Sequence, residues 1–135
     1  MSATTTALLG YILWMLILLV ILAGLRSALT LSGKKMVNSF APDGADAGDF
    51  SNRLCRAHAN CYESFPIIGG LLLFALASGQ TGVTDGLAMI MLGARVAQSL
   101  THLISTSAIA VYVRFGFFLV QIAIAAYWLF GFFAA

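Results

Sequence analysis

Charge is scarce in this chain: 9% of its 135 residues are Asp, Glu, Lys or Arg, seven basic against five acidic. A soluble domain carries about 25%. With 61% of the residues hydrophobic, too little polar side chain remains to cover a globular surface in water, and the same excess excludes intrinsic disorder. A scattered net charge of +2 is no nucleic-acid footprint. The two cysteines, Cys55 and Cys61, point in different directions on a helix. They make no disulfide framework and read as free thiols facing the cytoplasm. Neither an HExxH motif nor a Cys/His cluster is present, so no metal site is expected. The glycines are scattered at turns and helix contacts rather than gathered into a phosphate loop.

Long uncharged runs take the place of those features. Thr6–Leu25, Ser64–Thr84 and Phe115–Ala135 carry no charge, and Gly86–Val113 is interrupted only by Arg95. A helix of about 20 apolar residues crosses about 30 Å of hydrocarbon, so the length accommodates four spans, at about 6–31, 51–79, 84–105 and 111–134. The apolar residues come in blocks rather than alternating, which argues against a barrel. The fold class is therefore all-α, an integral membrane four-helix bundle forming a single domain over residues 1–135. The first run is preceded by MSATTTA, without Lys or Arg, and is longer than a signal-peptide apolar region. It is expected to be retained.

The one long polar connection, at about 33–50, holds Pro42, Gly44, Gly48 and three aspartates. The second connection, near Gly79–Asp85, is short, which makes helices 2 and 3 antiparallel neighbours. Arg26, Lys34, Lys35, Arg53 and Arg56 flank the first connection and Arg114 follows the third, whereas the second has only Asp85. By the positive-inside rule, connections 1 and 3 face the cytoplasm and both termini lie on the other side.

Helix 2 opens with SNRLCRAHANCYESFP, with Asp49 or Ser51 as candidate caps. At 100° per residue, Arg53, Arg56, Asn60 and Glu63 fall within about 80° of one another. On helix 3, Arg95, Gln98 and His102 share a face in the same way. An unpaired ion at mid-bilayer costs roughly 2.5–3.5 kcal/mol or more. The two stripes are therefore expected to face each other, with Glu63 close to Arg95, around a wet pocket open to one side. Such a pair can also be helix glue without chemistry. His58 lies off the stripe, and Pro66 is expected to kink helix 2 beside Glu63. The aromatics of helix 4 read as lipid contact and an interfacial belt.

The helix-2 segment closely resembles the signature of the MAPEG family, the membrane-associated proteins in eicosanoid and glutathione metabolism, through the skeleton Arg56-Ala57-x-x-Asn60-x-x-Glu63-x-x-Pro66. Length, four spans and inferred orientation agree with that family, in a bacterial-type or microsomal glutathione transferase-like member. The resemblance implies a left-handed bundle assembling as a homotrimer, with glutathione bound between protomers near the cytoplasmic side. It implies Arg56, Asn60 and Glu63 as glutathione ligands, and Arg53, Arg26, Arg95, Gln98 and His102 join them as candidate glutathione-binding residues. Gln98 and His102 stand where better-known members carry His or Tyr, and Tyr, and Ser64 replaces an aromatic residue. Arg114 is the candidate thiol-activating arginine, several residues later than the family's spacing.

Chemistry supports that reading independently. Arginine forks suit the carboxylates of glutathione, a glutamate suits its ammonium, and a cationic, partly dry site favours thiolate. The function implied is a glutathione-dependent membrane transferase of the detoxification type, attacking a lipophilic electrophile or reducing a hydroperoxide. Glutathione would be the co-substrate, and the partners a lipophilic small molecule, membrane lipid and further copies of the chain; no nucleic acid is implied. The membrane would be the inner (plasma) membrane if the source is bacterial. Two alternatives stay open: a small proton-coupled transporter using Glu63, and a non-catalytic scaffold of the same fold.

Overall fold

A computed structural model describes residues 1–36, 41–42 and 44–135, of which Asp46 is described in its backbone alone. Part of the long polar connection, including Asp43, therefore lies outside the described residues. Four helices account for nearly everything else: α1 (Ala3–Leu31), α2 (Asp49–Ser78), α3 (Thr81–Ile104) and α4 (Ala108–Ala134). All four are long and apolar enough to cross a membrane.

Local chemistry explains the helix ends. Ser2 caps α1 by accepting from the Thr5 amide, and Ser107 caps α4 by accepting from the Ala110 amide, so both helices start before their uncharged runs begin. The start of α2 differs from the expectation. Its cap is Gly48, at φ 107°, with no side-chain cap bond. Asp49 lies inside the first turn, where its charge favours the helix dipole, and Ser51 is buried with its hydroxyl unpartnered. A left-handed Gly79, at φ 69°, ends α2, and a two-residue turn of Gly79 and Gln80 reverses the chain into α3. Helix α2 runs unbroken through Pro66.

Helix α3 packs against each of the other three, while α1 and α4 do not touch and α4 meets α2 only sparsely. The apolar core lies around α3 and includes Tyr11, Leu18, Leu54, Leu72, Met91 and Trp128. Gly10 of α1 lets α3 come close: a Cβ there would stand 2.7 Å from a Leu92 methyl carbon.

The bundle is also tied at the end that carries the termini. The Thr4 amide (3.0 Å) and hydroxyl both donate to Asp85 Oδ1, and the Thr4 and Thr84 hydroxyls bond each other. The sparse acid of the second turn thus caps a different helix, joining the start of α1 to the start of α3. Asp85→Ala and Thr4→Val should each lower the thermal midpoint in detergent. The double variant should lose less than the sum of the single effects, because both changes remove the bond from the Thr4 hydroxyl to Asp85.

Candidate functional site

Two polar surfaces were expected to meet, and the structure brings together only part of each. On α3, Arg95, Gln98 and His102 are all buried, Arg95 completely. On α2, Asn60 and Arg53 are half-buried, whereas Arg56 and Glu63 are exposed.

The buried guanidinium of Arg95 is held by neutral acceptors. Its Nη1 donates to Ser64 Oγ (2.8 Å) and the Asn60 carbonyl (3.4 Å), and its Nη2 donates to Asn60 Oδ1 (3.0 Å). The expected pairing of Arg95 with Glu63 is not made. The helical wheel gives the reason. Asn60 and Ser64, four residues apart, share the side of α2 that meets α3, and Glu63 is turned about 60° away from Asn60 and about 100° from Ser64.

From this centre the bonds spread to every helix. Gln98 Nε2 donates to Asn60 Oδ1 (3.5 Å), and Gln121 Nε2 of α4 donates to Gln98 Oε1 (2.7 Å). Ser64 Oγ lies 2.7 Å from the Tyr11 hydroxyl of α1, which donates to the Cys61 carbonyl (2.6 Å). Cys61 Sγ meets Ser99 Oγ at 3.0 Å. Both thiols are free and buried, so neither presents a surface nucleophile.

The other basic residues divide between packing and surface. Arg53 Nε donates to the Leu103 carbonyl (2.9 Å), satisfying one of the open carbonyls at the end of α3. Arg26, half-buried, donates to the Ala41 carbonyl (3.4 Å) and approaches Cys55 Sγ (3.7 Å). Arg114, half-buried on α4, meets His102 Nε2 through its Nη1 at 2.9 Å. His58 stacks edge-on against Tyr62, away from this network.

The structure has open space between α2 and α4. A groove of about 380 Å³ there has a polar end, formed by Asn60, Glu63, Ser64 and Gln121, and an apolar wall that includes Ile67, Phe118 and Ile122. That volume is within the range of small-molecule sites. The groove lies where helix packing is thinnest, so Glu63 has room beside it without having to pay for burial.

The match to known proteins agrees with this architecture. The MAPEG family model matches residues 4–134, nearly the whole chain. The chain belongs to the MAPEG family. No curated protein and no solved structure matches it. The family includes glutathione transferases and also members that are not enzymes. Against that background the motif residues of α2 do two different jobs: Asn60 is built into the fold, while Arg56 and Glu63 are left at the surface.

Ser64, Gln121 and Tyr11 are among the participants in the network that escaped sequence reasoning. Ser64 looked like a departure from the family pattern and is a principal partner of Arg95. Gln121 carries the signal that could have revealed it, as a polar side chain in the uncharged final run. Tyr11 carries a similar signal in the first run, weakened because tyrosine is common at membrane interfaces.

The division predicts opposite outcomes for two neighbours. Asn60→Leu removes the side-chain acceptor of a buried cation and should destabilise the protein by about 2 kcal/mol. Glu63→Gln, at an exposed position, should change stability by no more than about 0.5 kcal/mol. Thermal melts of both variants in one detergent check this.

Proposed function

We propose that this protein is a glutathione-dependent membrane transferase, with reduction of lipid-soluble hydroperoxides as a second activity of the same site. One observation carries the reading. Within a chain of the MAPEG family, the charged motif residues Arg56 and Glu63 are exposed instead of being used up by the fold. Arg56, with Arg53 and Arg26 beside it, takes the carboxylates of glutathione. Glu63 takes its ammonium, and Arg114 meets the sulfur. A guanidinium stabilises a thiolate by charge and hydrogen bonding. An unperturbed thiol titrates near 8.5, so this stabilisation raises the reactive fraction at neutral pH.

The reaction is then nucleophilic. The thiol proton leaves to solvent, and the sulfur electron pair forms a C–S bond as the acceptor's leaving group departs with its own pair. With a hydroperoxide, the sulfur attacks oxygen and the O–O bond breaks, giving an alcohol and a sulfenic acid. A second glutathione reduces that acid to a disulfide and water. The lipophilic acceptor reaches the site from the bilayer, and exposed Arg56 and Glu63 suit a site completed by a neighbouring copy in a homotrimer. The basic end of the bundle faces the cytoplasm and the termini face away.

One observation favours a rival. Glu63 lies in an open groove and is not paired with Arg95, which is the environment a proton-coupled transporter needs for a cycling carboxylate. Binding separates the two. Glutathione at millimolar concentration should give heat in calorimetry and raise the ultraviolet thiolate absorbance of the purified protein. Arg56→Ala should weaken binding by at least about tenfold, from the loss of charge-assisted hydrogen bonds. Absence of glutathione binding, with proton-driven efflux abolished in Glu63→Gln, would replace the transferase by the transporter. Unchanged binding in Arg56→Ala would remove the carboxylate assignment.

A further inference from the structure

Arg114 is two turns into α4, later than an arginine serving a site near the start of that helix should be. The structure shows what compensates. His102 lies about 3 Å of rise before the end of α3, and Arg114 about 9 Å after the start of α4. Side chains lean toward the N-terminus of their own helix. In this antiparallel pair, Arg114 therefore leans back toward the α3–α4 connection and His102 leans away from it. They meet at 2.9 Å between Nη1 and Nε2.

The chemistry of that bond is restricted. A guanidinium has donors and no acceptor, so His102 Nε2 must be the unprotonated acceptor and the ring a neutral imidazole. His102 is buried, with 5% of its surface exposed, and lies in the last turn of α3. It is the only hydrogen-bond partner of Arg114 among the described residues, and Arg114 Nε has none. One edge of the guanidinium is thus anchored while other donors remain for a ligand. An arginine side chain loses rotamer freedom when it is held by a ligand, and an anchor removes part of that loss before any ligand arrives.

We propose that His102 is a positioning residue: it accepts from Arg114 and holds the guanidinium in the orientation that meets the glutathione sulfur. This replaces the expectation that His102 contacts glutathione itself, and it rests on the role given to Arg114 above. Gln98, on the same face of α3, has a different task, because its bonds go to Asn60 and Gln121.

The test uses the full chain in detergent, with glutathione and an activated aryl halide as acceptor; the thiolate attacks the ring carbon and halide leaves. His102→Leu removes the acceptor. His102→Gln returns one at a similar reach, and His102→Asn keeps a polar group too short to arrive. In the Leu and Asn variants, kcat and the thiolate absorbance at saturating glutathione should fall roughly tenfold, while the KM for glutathione moves less than about twofold. The Gln variant should recover most of the loss. Combining His102→Leu with Arg114→Ala should be no worse than Arg114→Ala alone.

Unchanged thiolate absorbance in both Leu and Asn variants would overturn the proposal, as would additive losses in the double variant. A Gln variant no better than Asn, with melting points lowered alike, would make His102 merely structural. If wild-type protein binds no glutathione, the transferase reading itself falls and this inference with it. If binding persists and Arg114→Ala is silent, the error lies in the role of Arg114.

Discussion

A cation buried among helices governs this molecule. Arg95 is fully enclosed, and its two terminal nitrogens donate to the carbonyl and side chain of Asn60 and to the hydroxyl of Ser64, while its Nε has no partner. Lipid offers no replacement for those bonds, so helices at this depth must satisfy their polar groups on one another. The arrangement fixes the rotation of α2 against α3. Through Ser64 it reaches Tyr11 on α1, and through Gln98 it reaches Gln121 on α4. All four helices are joined in one layer of hydrogen bonds.

Neutral partners for that cation have a functional consequence. Had Glu63 paired with Arg95, the acid would have been consumed by packing, and breaking such a pair would carry the penalty of an uncompensated buried charge. Asn60 and Ser64 take that task, and Glu63 is left in the groove between α2 and α4. Arg56 is likewise left exposed. A membrane protein with so few charges leaves these two outside its packing, one of each sign, on one face of one helix.

The remaining basic residues show how such a small protein economises. Arg53 closes the end of α3 and Arg26 reaches into the polar connection, so both guanidinia serve the fold. Arg114 follows the same pattern against His102.

Four apolar helices were legible in the chain because a run of about 20 uncharged residues has one stable conformation in hydrocarbon, whatever its neighbours. The family was legible in α2 for a related reason: polar residues inside an apolar helix persist at set positions only where something binds them. The angular positions on each helix were also in the sequence, since they follow from 100° per residue. Which partner each side chain takes was not. Asn60, Glu63 and Ser64 lie within about 100° of arc, and any of them could have been the residue facing Arg95. A few tens of degrees of helix rotation decide between them, and no single helix carries that rotation in its own sequence. The sequence by itself determined the spans, the polar stripes and the scarcity of charge. Tertiary packing alone decided that Asn60 and Ser64 bind the buried arginine and that Glu63 remains for something else, because hydrogen-bond pairing between helices depends on their relative rotation and depth.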